Sequence, residues 1–94
     1  MMKQIETTGP GGPEVLKIVT APAPSPGPGE VLIKVQAAGV NRADVSQRQG
    51  RYRLQPGMPS ILGLEVAGTI AELGAGASRW KVGDPVCALL TGGG

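Results

Sequence analysis

The sequence lacks histidine and phenylalanine, and it contains one cysteine, one tryptophan and one tyrosine. A lone cysteine, Cys87, excludes an internal disulfide framework, and its place in the apolar run of residues 86–90 predicts a small buried residue. With no histidine beside it, a zinc site of the usual nitrogen and sulfur ligands has too few donors. Histidine-based triads and the usual neutral-pH general base are excluded as well. An aromatic content of 2% cannot supply the stacking platforms of an OB-like single-strand nucleic-acid binder.

Long apolar runs and strong charge are also missing. No stretch approaches the ~20 apolar residues that cross a bilayer, and the first residues carry no secretory signal. The net charge of +2 is too small to indicate a nucleic-acid or membrane partner. Together with the single cysteine, these features predict a cytoplasmic protein with neither of those partners.

The sequence is rich in glycine and proline, with 16 and 9 residues, and 40% of its residues are hydrophobic. The glycines and prolines punctuate the apolar runs, which is typical of short strands joined by turns. A chain of 94 residues has room for one domain at most. Its core must come from Val, Leu, Ile and Ala, so we expect it to be thin.

Alternating apolar and polar residues predict most of the strands. The five predicted strands are residues 2–7, 15–19, 30–40, 64–73 and 86–90. Alternating prolines over residues 21–29 predict an extended connection between the second and third strands. Gly68, inside the fourth, predicts a bulge or a close backbone approach.

One segment breaks the strand pattern with helix signals at both ends. Asn41 is a favoured N-cap, and Asp44, three residues on, can accept a hydrogen bond from the Asn41 backbone amide. Gly50 supplies the left-handed residue that follows many helices. We therefore predict one short helix over residues 42–49.

Three motifs occur in order along the chain: Ala-Gly-Val-Asn-Arg-Ala-Asp at 38–44, Pro-Ser-Ile-Leu-Gly-Leu-Glu-Val-Ala-Gly at 59–68 and Val-Gly-Asp-Pro-Val at 82–86. Their order resembles the N-terminal, GroES-like catalytic domain of medium-chain dehydrogenases and reductases. Residues 11–16 resemble the start of the zinc-free quinone oxidoreductase branch. Its p53-inducible type is resembled most closely, at residues 41–44, 47–50 and 88–90. The resemblance implies a mainly β, partly opened GroES-like barrel with one short helix. It also implies that residues 1–94 are an incomplete catalytic domain, the Rossmann cofactor domain being absent.

Two positions separate the zinc-containing from the zinc-free branch. Asn41 and Leu64 stand where zinc alcohol dehydrogenases carry a Cys and a His ligand, and neither side chain can replace those donors. The resemblance thus implies metal-free hydride transfer from NADPH, bound mainly by the absent domain, to a quinone or enone in the interdomain cleft. It further implies that the full-length protein is a homodimer and that the isolated chain is inactive.

The resemblance also implies the site residues. Asn41 and Tyr52 would be catalytic, Asn41 and Arg42 would contact the cofactor, and Tyr52 and Leu64 would line the substrate pocket. Three of these residues also have a purely structural interpretation: Asn41 as a helix N-cap, Arg42 as a solvated surface residue and Leu64 as a core residue. Glu65 could accept a hydrogen bond beside the site, although an outward-facing strand residue is the simpler interpretation.

A function of another class remains open at this point. A stand-alone GroES-like interaction module, such as a co-chaperonin subunit, has a similar length and the same fold. Such a subunit needs a flexible loop with an apolar anchor, which residues 9–13 do not provide. Assembly into a ring would be its signature.

Overall fold

The computed structural model describes residues 2–51 and 61–94. Within these residues the chain forms five strands and one α-helix, with a single 3₁₀ turn at Pro13–Val15. The elements are β1 (Met2–Thr7), β2 (Leu16–Ala21), β3 (Val31–Ala38), α1 (Arg42–Arg48), β4 (Glu65–Leu73) and β5 (Pro85–Leu89). This confirms a mainly β fold with one short helix, and the predicted bounds of the elements agree within about two residues.

The strands form two open antiparallel sheets. β1 and β2 make a hairpin in which Met2 lies opposite Ala21 and Thr7 opposite Leu16. β3, β4 and β5 form a second sheet with β4 in the centre. Within the part of the chain that the structure describes, the outer edges of β3 and β5 have no partner strand, so this sheet does not close into a barrel.

The central strand depends on a close approach at Gly68. The register between β3 and β4 shifts twice, and one shift lies between Val35 and Ala37, opposite Gly68 and Ala67. A Cβ on Gly68 would overlap the backbone carbonyl oxygen of Lys34. The predicted bulge and close approach are therefore both confirmed. β3 does not show the alternating burial expected from its sequence, because its last five residues are all exposed.

Helix α1 is bounded as its sequence predicts. The Asn41 N–H donates to Asp44 Oδ2 at 2.9 Å, which satisfies one of the amides at the helix start. At the other end, Gly50 has φ +79°. The N–H groups of Gly50 and Arg51 donate to the carbonyls of Gln47 and Ser46 at 3.0 and 2.8 Å, a Schellman motif.

Two hydrogen bonds tie the hairpin to the helix. The Gly11 N–H donates to the Arg48 carbonyl at 2.9 Å, and Arg48 Nε donates back to the Gly11 carbonyl at 3.2 Å. Beside them, a Cβ on Gly50 would lie 2.8 Å from Pro10 Cβ, so the loop packs directly on the helix end. The glycine- and proline-rich turn after β1 thus anchors the hairpin.

The core is as thin as the composition predicts. Among the described residues, only Val66, Ile70 and Ala77 are buried hydrophobics, at 6%, 2% and 9% exposure. Several large hydrophobics remain in solvent, including Ile18 at 71% and Leu89 at 87%. No helix in residues 2–51 and 61–94 is long and apolar enough to span a bilayer.

Cys87 corrects one expectation. Its place in the apolar run of residues 86–90 predicts a small buried residue, yet the free thiol is exposed. The prediction was wrong because β5 alternates between half-buried and exposed positions, and Cys87 occupies one of the exposed ones. The outer edge of β5 also has no partner within the described residues.

Candidate functional site

The candidate site lies where helix α1 begins beside the start of β4. Asn41 is the N-cap of α1 and is half-buried, whereas Glu65 is the exposed first residue of β4. Asn41 Nδ2 donates to Glu65 Oε2 in a long hydrogen bond of 3.4 Å. Asn41, a site residue predicted from the sequence, therefore has a side-chain hydrogen-bond partner 24 positions away in the chain.

Asp44 holds these two segments together. It is 8% exposed and is the only buried charged residue among those described. Its Oδ2 accepts from the Asn41 N–H, and its Oδ1 accepts from the Gly63 N–H at 3.0 Å. One carboxylate thus connects the start of the helix to the residues before β4, and it fixes the backbone on both sides of the Asn41–Glu65 pair.

Gly39 leaves the space through which Glu65 reaches Asn41. A Cβ on Gly39 would overlap the Glu65 carboxylate and would lie 2.7 Å from Glu65 Cγ. The backbones also meet here, since the Gly39 N–H donates to the Glu65 carbonyl at 3.3 Å. The Glu65 side chain therefore lies across the bare Cα of Gly39.

Two grooves adjoin this region. The larger, of about 790 Å³, lies between the β1–β2 hairpin and the three-stranded sheet and has a mainly aliphatic lining. The smaller, of about 530 Å³, is lined by two stretches, 37–39 and 65–67, and by residues 87–89. Ala38 and Gly39 line both grooves, but Glu65 lines the smaller one alone. Asn41 itself lines neither groove, whereas Glu65, the hydrogen-bond partner of its carboxamide, lines the smaller one.

The other predicted site residues have different positions. Arg42 is the exposed first residue of α1. Leu64 is half-buried, its carbonyl accepts the Leu90 N–H at 2.7 Å, and it is not among the residues lining either groove. Tyr52 lies outside the described residues. Sequence reasoning did not identify Asp44 as a bridge to Gly63, because the helix signals already accounted for it as a capping residue without a distant partner.

Metal-binding geometry is missing from the part of the chain that is described. In residues 2–51 and 61–94, no three His, Cys, Asp or Glu side chains come together in a way that could hold a metal ion. Asp44 and Glu65 instead accept hydrogen bonds from backbone or amide N–H groups. The carboxylates of the site thus accept hydrogen bonds from neighbouring N–H groups, and the site presents amide hydrogens.

Comparison with known proteins identifies the class to which this fold and site belong. The alcohol dehydrogenase GroES-like domain matches residues 27–93. The chain belongs to this family.

Its relatives include quinone oxidoreductases. The quinone oxidoreductase of Lama guanicoe is 44% identical over 92 residues, which are 97% of this chain and 28% of the relative. The rat synaptic vesicle membrane protein VAT-1 homolog is 43% identical over 88 residues, 92% of this chain and 22% of that protein. The crystal structure of Escherichia coli quinone oxidoreductase complexed with NADPH has a TM-score of 0.85 and 36% identity, covering 95% of this chain and 27% of that chain.

The similarity to quinone oxidoreductases expected from the sequence motifs is thereby confirmed. The chain spans less than a third of the length of these relatives. These relatives favour an oxidoreductase domain over a co-chaperonin subunit.

Proposed function

We propose that this chain is the substrate-side domain of an NAD(P)H-dependent quinone or enone oxidoreductase. A second, Rossmann-type domain would bind most of the NADPH, and the substrate would lie in the cleft between the two. The observation that carries the proposal is the Asn41 carboxamide, held at the start of α1 in a chain that is 36–44% identical to quinone oxidoreductases over nearly its whole length.

The side chains present fit such a role. Asn41 Nδ2 carries two hydrogens, and the bond to Glu65 uses one of them. The second can donate to a quinone carbonyl oxygen, which gains negative charge as the ring is reduced. Arg42 projects from an exposed position one residue away, where a guanidinium can pair with a cofactor phosphate.

The reduced nicotinamide would supply a hydride, and the quinone would take up that hydride and a solvent proton to become the hydroquinone. This chain would bind and orient the acceptor. Asn41 would hold one quinone oxygen by hydrogen bonding, and the small groove would exclude water from part of the ring. Tyr52 and Leu64 would complete the substrate pocket.

We further propose that hydride transfer here does not use zinc. Zinc would need thiolate or imidazole donors at the positions of Asn41 and Leu64, and the sequence offers an amide and an alkyl chain. The homodimeric state and the cytoplasmic location expected from the sequence belong to the same proposal.

A chimera tests the function. Residues 1–94 would replace the segment that they match in the Escherichia coli quinone oxidoreductase, and NADPH oxidation would be followed with a quinone acceptor. We expect turnover from the chimera and none from the isolated chain. Asn41→Ala in the chimera should lower kcat/KM by about 100-fold, as for loss of an oxyanion donor. Tyr52→Ala should also lower kcat/KM, and it should impair quinone reduction more than it impairs folding.

Thr20→Ala, an exposed position on β2, is the matched control and should leave the kinetics unchanged. A folded chimera that binds NADPH without reducing any quinone or enone would contradict the proposed function. Unchanged kinetics in both site variants would remove Asn41 and Tyr52 from the site.

A further inference from the structure

We infer that Glu65 is a positioning residue that fixes the orientation of the Asn41 carboxamide, and that Gly39 is the position that permits it. The part of this inference that concerns the quinone depends on the proposed function above. The part that concerns Asn41 is a property of the chain itself.

An asparagine side chain can present either its NH₂ or its carbonyl oxygen in a given direction, because rotation about the last torsion exchanges the two. A carboxylate accepts hydrogen bonds and donates none when ionised. Glu65 Oε2, 3.4 Å from Asn41 Nδ2, therefore favours the rotamer in which the amide nitrogen faces the β4 side of the site. The capping box also directs the Asn41 side-chain oxygen toward the Asp44 N–H, so Glu65 and the helix start favour the same rotamer from the two ends of the carboxamide.

The geometry shows how Glu65 can orient the Asn41 carboxamide from an exposed position on β4. Its side chain crosses Gly39, where any Cβ would overlap the carboxylate. Because Glu65 is exposed, its side chain can swing into solvent at little cost when that space is filled. A methyl group at position 39 is thus expected to displace the carboxylate and leave the backbone in place.

The backbone beneath the pair is held independently. Asp44 binds the Asn41 and Gly63 amides, on the two segments that carry Asn41 and Glu65. Removing the Glu65 carboxylate should therefore release the Asn41 NH₂ group without moving the Asn41 Cα. This separation makes the inference testable by a probe of one side chain.

The test uses the ¹⁵N-labelled 94-residue chain and follows the Asn41 side-chain NH₂ resonances by NMR. We expect Glu65→Ala and Gly39→Ala each to shift this pair of signals and to speed its exchange with water. In the double variant, Gly39→Ala should add no further change, because its effect acts through Glu65. Glu72→Ala, an exposed carboxylate on the same strand, is the matched control and should leave the Asn41 signals unchanged.

Unchanged Asn41 signals in both single variants would overturn the inference. Should Glu65→Ala disturb the backbone spectrum broadly, Gly39→Ala and the isosteric Glu65→Gln decide the question. Glu65→Gln retains an acceptor oxygen and should give a smaller shift than Glu65→Ala; an equal or larger shift would count against a role for the carboxylate acceptor.

A second arm adds duroquinone to the ¹⁵N-labelled chimera described above, in which both walls of the cleft are present. The fully methylated ring of duroquinone gives the exposed Cys87 thiol no free position for addition. We expect it to shift the Asn41 signals and to bind Glu65→Ala about threefold to tenfold more weakly, the loss expected from one misplaced hydrogen bond. Equal binding to both chains would overturn the positioning role toward the quinone and leave the proposed function standing. A wild-type spectrum that duroquinone does not change would count against the proposed function, while a shifted Asn41 signal in Glu65→Ala would still support the positioning of Asn41.

Discussion

Asp44→Ala should destabilise the chain more than removal of any exposed carboxylate, because one buried carboxylate serves two segments. Asp44 is 8% exposed and accepts hydrogen bonds from the Asn41 and Gly63 amides at 2.9 and 3.0 Å. A hydrogen bond to a charged group contributes about 1.5–3 kcal/mol, and two bonds that share one carboxylate do not add fully. We therefore expect a loss of about 3 kcal/mol in the free energy of unfolding. For a chain of this length the total is about 5–14 kcal/mol.

The chain offers a matched control in Asp84. The Lys81 N–H donates to Asp84 Oδ2 at 2.9 Å, which repeats the local geometry of Asn41 and Asp44 across three residues. This second hydrogen bond is exposed, and the Asp84 carboxylate accepts none from a distant residue among those that the structure describes. Asp84→Ala should therefore cost only about 1 kcal/mol.

Urea denaturation followed by circular dichroism measures both losses. With a typical slope for a small protein, Asp44→Ala should lower the midpoint by about 1–3 M. Asp44→Asn, which keeps one acceptor oxygen and turns its other atom into a donor facing an N–H group, should give an intermediate loss. Equal midpoints for Asp44→Ala and Asp84→Ala would refute the reasoning, since the contact with Gly63 would then contribute nothing.

Packing and exposure lead to three more expected outcomes. Gly68→Ala should cost about 3 kcal/mol in urea unfolding because its Cβ overlaps the Lys34 carbonyl, whereas Gly76→Ala, with φ +80° and open space, should cost about 1 kcal/mol; equal costs would contradict the close approach. Ile70→Ala should cost about 2–4 kcal/mol against about 0.5 kcal/mol or less for Ile18→Ala, and similar values would mean that Ile70 is not core. Cys87 should react with a thiol reagent in the native state at a rate that subdenaturing urea does not change, and protection of the thiol would contradict its exposure.

Local signals in the sequence were enough to predict most of the secondary structure. The bounds of β1 and the start of α1 follow from alternation, turn residues and capping, all of which act between near neighbours in the chain. The bulge at Gly68 was also predictable, because a glycine inside a strand typically marks a bulge or a close approach of another backbone.

The remaining features depend on contacts between distant segments. Exposure of Cys87 depends on what covers β5, and an apolar run does not indicate which of its sides is covered. The Asn41–Glu65 contact depends on how β4 is placed beside the start of α1. Sequence pointed to Asn41 through resemblance and left Glu65 between two interpretations, and the structure meets both: Glu65 is an exposed strand residue, and its carboxylate accepts a hydrogen bond from Asn41 at 3.4 Å.

The overlap between position 39 and the Glu65 side chain has a consequence for how this domain can diverge. A side chain at 39 is incompatible with the contact between Glu65 and Asn41, so descendants that keep this contact should also keep glycine at 39. Descendants that acquire a side chain at 39 should shorten or reorient the residue at 65, and in them the asparagine at 41 would need a different neighbour or would lose its fixed orientation.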